Sequence, residues 1–296
     1  MTAAMSSAPQ PPSSLAAAAS AASDMRHLLR PLHWTGVLRH PRFAGRSPLL
    51  FRLYTAALAS FALVFICSET AALIHEGTAD MDVVILLLST INTASIWIFR
   101  MVHIAVFERD FHKLALQVGH DFAEFLTWDD LPVLRSQSRL VRRFALTYIW
   151  FGVGACAYYL VSPVSAEGLP FILALPFDAS QPLGFAVTWV FCSVVTLHAV
   201  VMTMVLDSFN ASVIAQLRLQ LKLLSGKIVS LAIEISEGDV DSSETTAYRE
   251  LHYRLEKCIR HHEAIIKNAD LLERSLGTML LAQCISIGAS TCFQMF

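Results

Sequence analysis

The sequence predicts an all-helical integral membrane protein that crosses the bilayer five times and keeps its amino end in the cytosol. Three observations carry that expectation. Hydrophobic residues make up 55% of the 296 and charged residues 16%, whereas a soluble domain carries about 25% charge. Five long apolar stretches, about 53–75, 83–106, 144–166, 183–206 and 275–296, are separated by more polar chain. About 20 apolar residues cross a ~30 Å hydrocarbon core at ~1.5 Å per residue, so each stretch is long enough. Finally, all 22 Lys and Arg fall on one side of the implied membrane. The connections 76–82 and 167–182 hold Glu76, Asp80, Asp82, Glu167 and Asp178 but no Lys or Arg. Basic residues near spans are retained on the cytoplasmic side.

Residues 1–25 form an Ala/Ser/Pro-rich tail without a basic leader, expected to be disordered. Residues 26–48 mix Arg, His and Pro with Leu28, Leu29, Leu32 and Trp34. That mixture suits a cytosolic, interfacial lead-in with Trp34 at the headgroups. A transmembrane domain then occupies 49–296. Span one runs through Tyr54, Phe61 and Phe65 to His75, and a tight external turn follows. Span two ends at Arg100, whose long side chain is expected to reach back to the interface. From 108 to 128, Phe111, Leu114, Val118, Phe122 and Phe125 recur at helical spacing, with Asp129, Asp130 and Pro132 ending the segment. Span three carries Gly152, Gly154, Ala155 and Ala157, small residues that let helices approach closely.

The second external connection contains Pro163, Pro170, Pro176 and Pro182 and cannot be one helix. Beyond span four the helical period continues over 207–234 through Phe209, Val213, Leu217, Leu221 and Leu224. After an acidic, Ser/Thr-rich loop, a second amphipathic helix over 248–274 leads through Leu251, Leu255, Cys258, Ile259, Ile265 and Ile266 into span five. Helices four and five thus extend into the cytosol with apolar seams that need a protein surface to cover them. Two readings stand: the seams cover each other as a hairpin, or they belong to a bundle shared between chains.

Net charge −2 and a pI near 6.6 give no sign of nucleic-acid binding. No phosphate-binding glycine loop is present, no catalytic constellation is visible, and the histidines lack metal-ligand spacing. The reading is therefore of a non-enzyme without cofactor or metal. The six cysteines have no pair in the external connections, so they are expected as small packed thiols. Asn210-Ala-Ser212 matches a glycosylation acceptor but falls on the cytosolic side, so it is expected to be unmodified. Asp207, at the inner end of span four, is expected to cap or brace the helix, and His198 to hydrogen-bond between helices. Tyr158, Tyr159, Phe185, Trp189 and Phe191 cluster in the external halves of the spans. They suit either an aromatic belt or a largely apolar ligand pocket. No convergent set of polar intramembrane residues is evident, which argues against a transporter.

The C-terminal third resembles the insect odorant receptor family. The elements are His262-Glu-Ala-Ile-Ile266, Leu271-Leu272-Glu273, Leu280-Leu281-Ala-Gln283 and Cys292-Phe-Gln-Met-Phe296, in that order. Leu53-Tyr54 and the external Leu175-Pro176-Phe177-Asp178 fit as well, so the resemblance covers about 28–296. It implies a seven-helix chemoreceptor fold of which five helices are present, and hence a C-terminally truncated chain without the pore helix that would not conduct as it stands. It also implies a receptor in the plasma membrane of olfactory sensory neurons. Small hydrophobic odorants are its ligands, and it gates a cation channel as a hetero-tetramer with a co-receptor subunit. From the family's pocket region the expected ligand-binding residues are Ile91, Asn92, Gly154, Tyr158, Trp189 and Ser193. A gustatory receptor of the same superfamily is the main alternative. A G-protein-coupled receptor fragment is less consistent, since it would place the amino end outside.

Overall fold

The structure, a computed structural model, describes residues 33, 35–36, 48–76, 81–162, 168–236 and 245–295. The expectations for the tail, for Trp34, for the turn 77–80 and for the acidic loop 237–244 lie outside the described residues. The described chain forms six α-helices: α1 Pro48–Glu76, α2 Met81–Val106, α3 Glu108–His120, α4 Leu131–Val161, α5 Pro182–Ser236 and α6 Thr245–Met295. Two 3-10 turns, Ala123–Phe125 and Trp128–Asp130, lie between α3 and α4. Among the described residues there is no β-strand. Five helices (all but α3) are long and apolar enough to cross a membrane.

Local chemistry explains the ends. Pro48 and Pro182 open α1 and α5, where the missing N–H costs nothing and the fixed φ suits a helix. Thr127 and Asp130 form a capping box: the Asp130 carboxylate accepts from the Thr127 backbone N–H and hydroxyl, both at 2.9 Å. Hydroxyls within the apolar helices are mostly bonded to the carbonyl one turn back. Thr70 to Ile66 at 2.7 Å and Ser95 to Ile91 at 2.7 Å are examples. That lets Ser and Thr lie in hydrocarbon without an orphaned donor.

Two boundaries differ from the sequence expectation. The segment expected as one helix over 108–128 is α3 plus the two 3-10 turns, because the Thr127–Asp130 box ends one element and starts the next. The third long helix begins at Leu131, well before the apolar stretch at 144, and ends at Val161 rather than 166. An apolar run marks lipid contact, while the helix itself continues through Arg135, Arg139, Arg142 and Arg143.

The chain divides into two compact units. The span unit comprises 27–111, 144–210 and 274–296, and so holds all five apolar stretches; the accessory unit comprises 1–26, 112–143 and 211–273. In the span unit, Gly152 lies where an added Cβ would be 2.7 Å from Met204 Cγ, so it is the small residue that permits close contact of α4 with α5. Gly154 has nothing within 4 Å of that position. Large apolar side chains of α4 face outward, among them Trp150 and Phe151, as a lipid-facing surface requires. The connection between α4 and α5 is irregular over 168–181 and is tied to the helices. Ser68 Oγ donates to the Ala174 carbonyl at 2.8 Å, Tyr159 donates to that of Pro170 at 2.9 Å, and Phe171 meets Phe65 edge-on at 5.1 Å. Hydrogen bonds from Ser180 hold the exposed Asp178 carboxyl below the usual carboxylate range.

The accessory unit has its own core of Ala123, Leu126, Leu131, Leu134 and Leu219. Leu224 and Leu231 of α5, and Cys258 and Ile265 of α6, are also buried there. A second face of each helix stays exposed. On α5 it carries Leu221, Ile228 and Ile235, one every seven residues; on α6 it carries Leu255, Ile259 and Ile266. One face of each helix is thus buried within the chain, as the hairpin reading expects, and another is exposed.

His261 is the polar centre of this unit. It is 1% exposed, its Nε2 lies 3.1 Å from Gln220 Oε1, and its ring stacks on Phe125 at 4.7 Å. Burial, helped by the Lys227 charge, pushes its pKa down to about 4. Lys227 Nζ donates to the Phe125 carbonyl at 2.6 Å and to Asp130 at 3.0 Å. Burial tends to raise the Asp130 pKa, but the Thr127 and Lys227 bonds outweigh it and hold the carboxyl below its usual range. His262, the residue of the resemblance motif, is exposed; its neighbour is the packed one.

Candidate functional site: a cavity in the span unit

A cavity of about 660 Å³ opens among the five apolar helices of the span unit. Phe65 comes from α1, Thr90, Trp97 and Arg100 from α2, and Tyr148 and Tyr159 from α4. Helix α5 adds Val195, Thr203 and Asp207, and α6 adds Gln283, Ser286 and Ser290. Its volume lies within the range of pockets for small ligands, and its walls mix apolar and aromatic groups with a few convergent polar ones.

The convergence of polar groups corrects the expectation that none exists. Arg100 Nη2 meets Asp207 Oδ1 at 3.2 Å, and Gln283 Nε2 reaches both Asp207 oxygens at 3.4 Å. The Tyr148 hydroxyl is a further partner of Asp207. Arg100 does not extend to an interface: its side chain is 3% exposed and its charge is met inside the unit. Asp207 braces α2, α5 and α6 together, a structural role of the kind expected, but as the lining of a cavity rather than as a helix cap. His198, expected to hydrogen-bond between helices, instead meets with its Nε2 the carbonyl of Thr35, a turn residue, at 2.9 Å, and its ring lies against Trp97 of α2 at 5.4 Å.

Several polar atoms here have no partner. Glu69 is fully buried and neither carboxylate oxygen is hydrogen-bonded. The hydroxyl of Thr90 beside it is directed to the Leu86 and Leu87 carbonyls. Trp97 Nε1, Arg100 Nε and Gln283 Oε1 are also buried without partners. Glu69 and Arg100 are charged residues inside apolar stretches, a signal already in the sequence. Trp97 and Gln283 carry no such signal.

None of the six residues expected to bind ligand lines this cavity. Asn92 donates to Ser286 Oγ at 3.0 Å and Ser290 Oγ at 2.8 Å, which do line it, so Asn92 supports the wall. Ile91 precedes it on α2 and is half-buried. Ser193 Oγ is buried without a partner. Trp189 Nε1 donates to the Leu160 carbonyl at 3.1 Å. Tyr158 is 77% exposed and Gly154 faces open space. The adjacent Tyr159 is the tyrosine that enters the cavity, since neighbouring helical residues point about 100° apart.

No curated protein matches the sequence. A family model described as 7tm Odorant receptor matches residues 80–296. The chain belongs to this odorant receptor family. Its fold is similar to that of the insect olfactory receptor OR5 from Machilis hrabei, with a TM-score of 0.63 at 10% identity. That likeness covers 91% of this chain and 71% of the other. Five apolar helices of a seven-helix chemoreceptor fold and membership of this family make the protein a multi-pass membrane receptor, and the gustatory and G-protein-coupled alternatives give way.

Proposed function

We propose that this odorant receptor binds small, largely apolar volatile ligands in the cavity among α1, α2, α4, α5 and α6. Binding gates a cation channel that the receptor forms as a heteromer with a co-receptor subunit. The cavity carries the reading: about 660 Å³, walled by Phe65, Trp97, Tyr159 and Val195, with polar groups confined to a few positions. Asn92, held against Ser286 and Ser290, shapes that wall. Ile91, Trp189 and Ser193 act from positions behind or above it, and Gly154 and Tyr158 from the outer part of α4. The amino end, the tail 1–25 and the lead-in 26–48 lie in the cytosol of an olfactory sensory neuron, an orientation that the one-sided Lys and Arg distribution supports. The cytosolic region then comprises α3 with its two 3-10 turns, over about 108–128, and the extensions of α5 and α6, about 207–234 and 248–274, which present their second, exposed seams to partner subunits. Leu221, Ile228 and Ile235 on α5 repeat every seven residues, as helices that pack on other helices do.

Co-expression of this chain, completed with the two further helices of the seven-helix fold, with a co-receptor subunit in cells, read as odorant-evoked cation current, tests this. A current that requires both chains is expected; no response to any volatile in a broad panel overturns the reading. An epitope ahead of Met1 is expected to stain only permeabilised cells.

A further inference from the structure

We propose that one face of α4, formed by Arg135, Arg139, Arg142 and Arg143, binds the anionic phospholipid headgroups of the cytosolic leaflet. Such a surface needs no ligand in the span cavity and shares with the proposed function only the orientation of the chain.

The four arginines follow one another at spacings of four, three and one residues. On a helix that places them within an arc of about 100°, so they share a face. All four are exposed. Helix α4 runs from Leu131 to Val161 without a single Asp or Glu. None of the four has an acidic partner among the described residues; Arg139 Nε donates to the Arg135 carbonyl at 3.4 Å. The acids nearest in sequence, Asp129 and Asp130, precede the helix, and Asp130 is taken by Lys227 at 3.0 Å. The cytosolic part of α6 is arranged otherwise, with opposite charges side by side at Arg249-Glu250, Glu256-Lys257 and Glu273-Arg274. Mixed signs suit a solvated face. An exposed acid-free run, in which like charges repel, suits a partner of opposite charge.

Position along the helix names that partner. Phe144 follows Arg143 directly and opens the apolar stretch. Further along the same face Leu146, Trp150 and Val161 are exposed, as a lipid-facing wall is. Basic clusters at the cytosolic end of a spanning helix attract anionic lipids, and each charge counts only within a Debye length of the surface. At ~1.5 Å per residue, Arg142 and Arg143 lie within about 3 Å of the apolar stretch, Arg139 about 8 Å and Arg135 about 13 Å before it. The pull therefore weakens from Arg143 to Arg135. Guanidinium groups also match phosphate oxygens in pairs, which a lone ammonium does not.

The test uses the receptor completed with the two further helices of the seven-helix fold, in mixed vesicles of phosphatidylcholine and phosphatidylserine. One lipid at a time carries brominated acyl chains, which quench tryptophan. Trp150 is 72% exposed and about two turns past Arg143, so the difference between the receptor and Trp150→Phe reports the lipid beside this face. Phosphatidylserine is expected to be preferred about fivefold. Arg142→Gln with Arg143→Gln is expected to lower the preference below about twofold, and Arg135→Gln alone to weaken it only slightly. Lys222→Gln with Arg249→Gln removes the same charge from exposed positions on α5 and α6 and is expected to leave it unchanged. If the Arg142 and Arg143 variant does not fold, Arg135→Gln with Arg139→Gln takes its place, with a drop of about twofold expected. Equal quenching by the two lipids, or an equal loss in the Lys222 and Arg249 variant, overturns the inference. A preference abolished by millimolar inorganic phosphate at constant ionic strength overturns it too, since the face would then read free phosphate. Each of these failures leaves the odorant cavity standing, which the current measurement tests separately.

Discussion

The two units of this receptor differ in how completely their buried polar groups are paired. In the accessory unit several are paired with a partner from a distant part of the chain, although His261 Nδ1 and Arg260 Nε are buried without one. His261 has Gln220, Lys227 has Asp130 and the Phe125 carbonyl, and Asn268 has Asp121 at 3.3 Å and the Ala264 carbonyl at 2.8 Å. In the span unit, Glu69, Trp97, Arg100, Ser193 and Gln283 each keep a buried polar atom without a partner. A polar group paired within the chain holds a core together, whereas a buried one left unpaired costs stability.

The largest expected effect breaks the Arg100–Asp207 ion pair of the span unit. Asp207→Leu leaves the Arg100 charge buried and uncompensated, which costs about 3–5 kcal/mol and is read as lost folded yield or a lower Tm in detergent. Adding Arg100→Leu removes the stranded charge, and the double variant is expected to recover most of that stability. If it does not, the pair's worth lies in more than mutual neutralisation.

The next effect belongs to the accessory unit and depends on pH. His261 is neutral in the fold, with its pKa pushed from 6.5 to about 4, so the unfolded chain binds more protons between those values. Stability is fully present above about pH 6.5 and falls as pH drops towards 4, by at most about 3 kcal/mol. Hydrogen exchange of α5 and α6 amides at pH 7.5 and 5.0 measures this. His261→Gln is expected to flatten the profile; an unchanged slope removes His261 as its cause.

Packing gives a smaller contrast within a single helix. Gly152→Ala puts a Cβ into contact with Met204 and is expected to cost about 1–2 kcal/mol. Gly154→Ala, with nothing within 4 Å of its added methyl, is expected to be neutral or slightly stabilising. The smallest change is Asn92→Ala, which frees Ser286 and Ser290 and costs about 1 kcal/mol while shifting ligand affinity by a few-fold. Equal effects of Gly152→Ala and Gly154→Ala would mean that α4 and α5 are not in close contact there.

Much of the architecture was legible without coordinates. Apolar length marked all five spanning helices, and period marked the extensions of α5 and α6, because both signals are local and repeat along the chain. The site was less legible. Tyr158 and Tyr159 are indistinguishable by composition, yet one is exposed and the other lines the cavity with its hydroxyl on Pro170. His261 and His262 are equally alike, and the one that matches the family motif is the exposed one. A pocket residue is defined by what lies opposite it, and a single strand of letters does not hold that information.

What the sequence alone determined is the class of the molecule: helices sized for a bilayer, charge kept to one side, and motifs in the order of one receptor family. Those follow from one-dimensional quantities, the number of apolar residues in a row and the sign of the charge between them. Only the tertiary structure decided that Arg100 would find Asp207, that Gln283 would join them, and that Trp97 would be left with a free N–H at the cavity wall. The physical reason is that a hydrogen bond or ion pair between helices depends on rotation and depth about each axis. Those are fixed by packing against every other helix at once.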